Sequence, residues 1–273
     1  MRRLVLLLLA ALTGCQPVFA ADQVPREAEQ YRRTLVRAAH AEWGLGAPVA
    51  TLAGQVHQES RWRADARSPV GAQGLAQFMP ATADWMADLY PNTLGSAQPY
   101  NPGWALRAMV AYDRWLYVRN QAATDCDRWA FVLSAYNGGQ GWVNRDRALA
   151  SAKGAEKLAW FNSVERHNAG RSAANFRENR HYPRAILLRW EPLYAAAGWG
   201  DGTCSERYSH DPQDAAVVPR DAAGLTGRAT ESRLPQLVQR RRTLLLAHSA
   251  GAPGAISEGE ARGAQVQAAE GSK

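Results

Sequence analysis

The sequence has few of the residue patterns that hold metals or read nucleic acids. It contains three cysteines and six histidines in 273 residues, and none forms an H-E-x-x-H motif or a clustered Cys/His site. RNP, helix-turn-helix and zinc-finger patterns are missing as well. We also find no internal repeat and no sustained alternation of apolar and polar residues. A zinc amidase is therefore not indicated, and we expect no metal, no cofactor and no nucleic-acid partner.

The composition is that of an ordinary soluble globular protein, with 46% hydrophobic and 21% charged residues. Ten Trp and nine Tyr are many for this length. Most aromatic side chains pack in cores, but a surplus also suits a groove that holds sugar rings against flat side chains. The net charge of +7 indicates an acidic partner, such as anionic lipid or a carboxylate-bearing polymer.

The first 22 residues have the three-part layout of a secretory signal. Two arginines precede an apolar run, Leu4–Leu12, that is too short to remain as a membrane-spanning helix. Cleavage fits either near residues 20/21 or at the lipobox-like residues 12–15, where Cys15 would be lipidated. The lipobox is favoured because Cys15 closes the apolar run directly. Either route predicts export to the periplasm, with membrane contact only through a lipid anchor at Cys15.

Export changes the interpretation of the two remaining cysteines. Cys126 and Cys204 form an even pair in a compartment that permits disulfides. We predict that they are bonded to each other, and the alternative is two separate buried thiols.

Apolar spacing predicts a mostly α-helical domain over residues 23–204. Pro183 is expected near the start of the last helix of this domain. Residues 205–273 are predicted to be a C-terminal extension with a helix over 234–247 and a disordered end. The helices expected within the domain cover residues 26–44, 48–60, 80–89, a long segment after 102, residues 129–136 and a segment within 179–200.

Glu59 occupies an unusual position in the second predicted helix. It continues the apolar stripe of Leu52 and Val56, whereas a surface glutamate would lie on the face expected for Gln55 and Gln58. Burial and the negative end of the helix dipole both raise the pKa of a carboxyl group. A carboxyl that keeps its proton near neutral pH can serve as a general acid. The simpler interpretation is an ion pair with a neighbouring arginine, either Arg61 or Arg63.

Four blocks of sequence, in order, resemble the soluble lytic transglycosylase (SLT) family, which cleaves peptidoglycan with a goose-type-lysozyme-like helical fold. The first is ESRWRADARSPVGAQGLAQFMPATA, beginning at Glu59. The others are Tyr100-Asn101-Pro102, Ala135-Tyr136-Asn137-Gly138-Gly139 and Glu178-Asn179-Arg180-His181-Tyr182. The resemblance extends over roughly residues 27 to 200, and it departs from the family at Ala76, Asn179 and Pro183.

The resemblance implies that Glu59 is the catalytic acid and base of a transglycosylase acting on peptidoglycan glycan strands. Five further residues correspond to positions that line or brace the glycan groove: Ser68, Gln77, Tyr136, Asn137 and Glu178. Ordinary glycosidases need two carboxyl groups, and the nearest candidates for a second, Asp65 and Asp84, are more simply surface acids.

Two other functions remain open at this stage. The first is a hydrolytic muramidase of lysozyme type, whose products would carry one extra water. The second is a non-catalytic peptidoglycan-binding component of an envelope secretion or conjugation system. Partners in such machinery are suggested by family analogy alone.

Overall fold

A computed structural model describes residues 23–204, and these residues fold into helices with no β-strand among them. The prediction of a mostly α protein is confirmed. The predicted signal segment with Cys15, and the extension 205–273 with its predicted helix, lie outside the described residues. The helices are α1 Arg26–Trp43, α2 Val49–Ser60, α3 Pro80–Leu89, α4 Pro91–Leu94, α5 Pro102–Arg119, α6 Asp125–Gly138, α7 Gln140–Ala152, α8 Ala173–Ala185 and α9 Glu191–Ala196, with a 3-10 turn at Val164–Arg166 and a π-turn at Ile186–Trp190.

The last part of the domain differs from the prediction. Pro183 lies inside α8, ten residues after the helix begins at Ala173, and not near a helix start. A proline in a helix lacks the N–H for one backbone bond, and its ring crowds the preceding turn. The helix accommodates this by widening into the π-turn at Ile186–Trp190 directly afterwards. Helix α7 was not predicted at all, and α6 extends beyond both ends of the predicted segment 129–136.

Helix α2 is the central helix of the domain, and it is buried almost along its whole length. It packs against α1, α9 and the π-turn. The approach to the π-turn is close at Gly54, where a Cβ atom would lie 3.1 Å from both Trp190 Cβ and Glu191 N. The sequence therefore needs its smallest residue at this crossing, and the contact fixes α2 against the C-terminal helices.

Side-chain caps fix where three of the long helices begin. Asn101 Oδ1 accepts from Trp104 N at 3.1 Å at the start of α5. Thr124 Oγ1 accepts from Asp127 N at 3.0 Å at the start of α6. Ser172 starts α8 in the same way. Each cap satisfies a backbone N–H that has no partner within the helix, and is worth about 1 kcal/mol.

A disulfide closes the domain. Cys126 and Cys204 are bonded with an S–S distance of 2.05 Å and a Cα–Cα distance of 4.8 Å. The buried carboxylate of Glu191 holds the same segment, because it accepts from Cys204 N at 2.8 Å and from Thr51 Oγ1 at 2.5 Å. The end of the domain is thereby fixed to the first turn of α6 and to the N-terminal half of α2.

None of the helices within residues 23–204 is both long enough and apolar enough to cross a membrane.

Candidate active site

The end of α2 places Glu59 at the domain surface. Helix α2 stops at Arg61 and Trp62, which both adopt left-handed backbone conformations, with φ of 51° and 64°. Such conformations are unfavourable for non-glycine residues unless the surroundings impose them. Here the Trp62 side chain is 1% exposed and its indole N–H donates to Tyr194 Oη at 2.5 Å. Burial of Trp62 therefore ends the helix at this point and orients the half-buried Glu59 just before it.

Glu59 has one direct side-chain partner in the described structure, the hydroxyl group of Tyr182, which donates to Glu59 Oε1. Tyr182 lies on α8 and is 5% exposed. No arginine forms an ion pair with Glu59 within residues 23–204, so the simpler interpretation from the sequence is not what the structure shows.

Burial raises the pKa of Glu59 to about 8, and the negative charge of nearby Glu178 acts in the same direction. The hydrogen bond from Tyr182 opposes the shift, because it stabilises the ionised carboxylate. Part of the Glu59 side chain still faces solvent. The carboxyl group is therefore largely protonated at neutral pH and remains reachable from outside, which are the two requirements for a general acid.

The Glu59 carboxyl group faces a cleft of about 150 Å³ between the end of α2, the end of α6 and one face of α8. The face of α8 supplies three side chains at i, i+3 and i+4 spacing, which places them side by side. The residues lining the cleft are Gln58, Glu59, Asn137, Glu178, His181 and Tyr182.

Asn137 is held in the cleft by a buried amide network. Asn179 Nδ2 donates to Asn137 Oδ1 and to the Ser134 carbonyl oxygen, each at 2.9 Å, and Ser134 Oγ donates to Asn179 Oδ1 at 2.8 Å. A Cβ atom at Gly138 would lie 2.7 Å from Asn179 Nδ2. Asn179, a departure from the SLT pattern, therefore joins α8 to α6, and the adjacent glycine provides the space.

The network continues into a buried ion cluster. Arg180 donates to Asn179 Oδ1 at 2.6 Å and pairs with Asp146 of α7 at 2.7 Å. Arg171, from the segment before α8, pairs with the same carboxylate. The segment from 150 to 175, for which the sequence suggested no role, thus supports the α8 wall of the cleft.

Three predicted groove residues do not line the cleft but brace the segments around it. Ser68 Oγ accepts from Ala72 N at 2.9 Å, and Gln77 Nε2 donates to the Gly74 carbonyl oxygen at 2.9 Å. Tyr136 is 4% exposed and its hydroxyl donates to the Ala76 carbonyl oxygen at 2.8 Å. These contacts shape the loop after α2 and attach it to α6.

Gln55 lies in the core, which contradicts the prediction that it occupies the solvent face. It is fully buried, and its Nε2 donates to Asp113 Oδ1 of α5 at 3.3 Å. Burial raises the pKa of Asp113 well above its usual range; the bond from Gln55 opposes this shift and the charge of Glu59 adds to it. A second carboxyl group with a raised pKa therefore lies behind Glu59, because burial disfavours its charged form.

The second carboxyl group inside the cleft is that of Glu178. Asp65 and Asp84 are both exposed and neither lines the cleft. Sequence reasoning missed Gln58, His181 and Tyr182 as cleft residues. The helical spacing of Glu178, His181 and Tyr182 was the signal that would have found two of them.

The chain is similar to known proteins over part of its length. Residues 38–159 match the Transglycosylase SLT domain family. The resemblance seen in the sequence is thus confirmed for this segment of the chain. The matched segment contains Glu59 and Asn137, whereas the α8 wall lies beyond it.

The curated relatives are called membrane-bound lytic murein transglycosylase F. The protein from Maricaulis maris is 33% identical over 147 residues, covering 52% of this chain and 29% of its own length. The one from Vibrio parahaemolyticus is 27% identical over 184 residues, covering 61% and 32%. This chain therefore spans less than a third of the length of either relative.

Two solved structures of lytic transglycosylases also match. An inactive mutant of Slt from Pseudomonas aeruginosa is 26% identical with a TM-score of 0.49, covering 63% of this chain and 25% of that one. The 70 kDa soluble enzyme from Escherichia coli is 23% identical with a TM-score of 0.45 and the same coverage.

Proposed function

We propose that this protein is a peptidoglycan lytic transglycosylase, which cleaves the β-1,4 bond between N-acetylmuramic acid and N-acetylglucosamine. The observation that carries the proposal is Glu59, a carboxyl group with a pKa of about 8 that faces an open cleft. The SLT domain match over residues 38–159 supports the same substrate and reaction.

In the proposed reaction Glu59 acts first as an acid. Its carboxyl proton passes to the glycosidic oxygen, the bond to the muramoyl anomeric carbon breaks, and the N-acetylglucosamine leaves with a free 4-hydroxyl group. Glu59 is now a carboxylate and the anomeric carbon is electron-deficient. The muramoyl 6-hydroxyl then attacks that carbon and gives its proton to Glu59. The product is a 1,6-anhydromuramoyl end, the enzyme returns to its starting state, and no water is consumed.

Tyr182 is suited to support both protonation states of Glu59. Its hydroxyl donates to Oε1, so it stabilises the carboxylate that forms when the proton leaves. Because the tyrosine is buried and fixed on α8, this hydrogen bond needs no rearrangement during the reaction.

Glu178 and Asn137 are the groove residues best placed to contact the sugar. Both line the cleft, and Asn137 Nδ2 donates to Glu178 Oε1 at 3.5 Å, a long contact that sugar hydroxyl groups can compete for. The negative charge of Glu178 also suits the positive charge that develops at the anomeric carbon. We assign Ser68, Gln77 and Tyr136 the indirect role of shaping the groove.

Replacing Glu59 with Gln tests the proposal. The amide keeps the shape and an acceptor for Tyr182, but it has no proton to transfer. We expect release of anhydromuropeptides from purified sacculi to fall by at least about 100-fold, the scale of general acid catalysis. Glu27→Gln, an exposed glutamate in the first turn of α1, is the matched control and should retain full activity. Undiminished release by the Glu59 variant would reject the assignment.

A hydrolytic muramidase is the second candidate, because Glu178 provides another carboxylate in the same cleft. Such an enzyme would use Glu178 to activate water. Mass spectrometry of the wild-type products separates the two reactions, since reducing ends carry one more water than anhydro ends. A non-catalytic glycan-binding role predicts that wild-type protein binds sacculi and releases nothing.

We further propose that the protein acts in the periplasm after export, held to the membrane by a lipid on Cys15. The relatives carry "membrane-bound" in their names, and the opening residues fit a lipobox. Metabolic labelling with a fatty acid should mark wild-type protein but not the Cys15→Ser variant. Association with secretion or conjugation machinery is a separate proposal, and pull-down from envelope fractions tests it.

A further inference from the structure

A second cavity lies at the opposite end of α2 from Glu59. It has a volume of about 270 Å³ and is bounded by the end of α1, the start of α2, the start of α6 and the segment before Cys204. Pro48 lines it and Glu59 follows eleven residues later. At about 1.5 Å per helical residue the two places are roughly 17 Å apart. We call it the rear cavity, and the reaction proposed above does not use it.

Three aromatic side chains, Trp43, Tyr117 and Trp129, contribute to its walls. The Trp43 ring lies 5.2 Å from that of Trp129 and meets Tyr117 edge to face at 4.8 Å. Arg114 stacks over Trp43 at 4.8 Å, and Arg128 stacks over Tyr117 at 3.6 Å. The rings are therefore held in place by their neighbours without any ligand.

Two exposed carboxylates, from Asp125 and Asp201, also line the cavity. Asp125 accepts from the Tyr117 hydroxyl at 2.5 Å, which orients it. Asp201 has no hydrogen bond or ion pair within residues 23–204. The disulfide between Cys126 and Cys204 begins one residue after Asp125 and three after Asp201, so it ties the segments that carry the two acids together.

The charges around the rear cavity favour an uncharged ligand. Arg114 and Arg128, which stack on its rings, offset part of the formal negative charge of Asp125, Asp201 and the nearby Glu42. Flat rings beside carboxylate acceptors suit a pyranose, which has an apolar C–H face and an edge of hydroxyl donors. A cationic ligand would instead meet two arginines that already occupy faces of the aromatic rings.

We propose that the rear cavity is a second saccharide-binding site, which takes an N-acetylated sugar of a glycan strand. This inference rests on the proposed function, because the ligand class is that of the proposed substrate. A site separated from the catalytic cleft would keep the protein on the polymer between cleavage events.

Nuclear magnetic resonance titration of the full chain can test this directly. The Glu59→Gln variant is used throughout, so that no sugar is cleaved, and the probe is the neutral trimer of N-acetylglucosamine. Amide shifts of Gly46, Gly202 and Thr203 report on the rear cavity, and those of Asn137 and His181 report on the catalytic cleft.

Two substitutions and one control make the titration specific. Gly46→Trp places a large side chain at the rim, and a Cβ atom there meets no other atom within 4 Å, so the fold should accept it. Asp201→Asn removes one exposed carboxylate. Asp88→Asn, which changes an exposed acid on α3 outside both cavities, is the matched control.

The proposal predicts shifts at both places. Gly46→Trp should abolish the shifts at the rear cavity and leave those at the cleft. Asp201→Asn should weaken rear binding about tenfold, the scale of one charged hydrogen bond, and Asp88→Asn should change nothing. Shifts at the cleft alone, or rear shifts that survive Gly46→Trp, would overturn the proposal. The proposal would also be overturned if a lysine-rich peptide shifted the amide signals of the rear cavity and the sugar did not. A further outcome is that wild-type protein releases no anhydro ends from sacculi while the sugar still binds the rear cavity. That result would reject the proposed catalysis and leave the proposed second saccharide site standing.

Discussion

Replacing Glu59 with Gln should stabilise the folded protein, and the gain should grow with pH. In the folded state the pKa of Glu59 is about 8, against an ordinary value of 4.5. Between these two pH values the folded state keeps a proton that the unfolded state has released. Stability from this group is therefore fully present below pH 4.5 and is lost as the pH rises to 8. Glutamine does not titrate, so the variant escapes this loss.

The size of the effect follows from the pKa difference. Each unit of pH within this window costs about 1.4 kcal/mol of unfolding free energy. The full shift would cost about 3 kcal/mol at pH 7. The side of Glu59 that faces the cleft stays hydrated, and hydration weakens such effects. We therefore expect the variant to gain about 1 to 3 kcal/mol over wild type between pH 5 and pH 8.

Urea unfolding of both proteins at pH 5 and pH 8, with the disulfide intact, measures the difference. Glu27→Gln is the control, because it removes an exposed carboxyl in the first turn of α1, outside the cleft, and its stability difference from wild type should be the same at both pH values. A stability difference between wild type and the Glu59 variant that is equal at both pH values would refute the argument. A variant that is less stable than wild type, and more so at pH 8 than at pH 5, would refute it more strongly. That result would mean that the native state favours the charged carboxylate.

Further substitutions test the supports of the site. Tyr182→Phe removes the bond that lowers the pKa of Glu59, the proposed general acid, so the alkaline limb of the pH–rate profile should move to higher pH while the rate falls. Gly138→Ala places a methyl group 2.7 Å from a buried amide of α8, and a loss of about 1 to 3 kcal/mol in thermal or urea unfolding is expected; unchanged stability would contradict the close approach. Thiol labelling of denatured, unreduced mature protein should find Cys126 and Cys204 blocked. A Cys126→Ser/Cys204→Ser double variant should lose about 4 kcal/mol in the chain-entropy description of a 78-residue separation, and two reactive thiols would rule the bond out.

The sequence predicted the elements whose pattern is local. The bounds of α1, α2 and α3 agree with the structure to within about one residue, because caps, prolines and apolar spacing act over a few neighbours. The placement of Glu59 on the buried stripe of α2 also depended on helical spacing alone. The structure adds Tyr182 as its partner, from 123 residues further along the chain.

The misassigned residues depend on contacts between distant segments. Gln55 is polar and was placed at the surface, but Asp113, 58 residues later in the chain, gives it a partner in the core. The segment after α7 has little apolar periodicity from which its structure could be predicted. It is held instead by side chains from distant parts of the sequence, such as Asp127, whose Oδ1 accepts from Trp160 N at 2.9 Å. Local sequence rules predict Pro183 at the start of a helix. In the structure the helix continues through Pro183, and the π-turn that follows accommodates it.

The position of Cys204 has a practical consequence for anything attached to the chain after it. Its disulfide, together with the bond from its backbone N–H to Glu191, fixes the last described residue near the N-terminal half of α2. Glu59 opens at the other end of that helix. A fusion partner, label or solid support joined directly after Cys204 would therefore start on the side away from the proposed glycan cleft. If the proposed function holds, protein immobilised at that point should still accept a polymeric glycan.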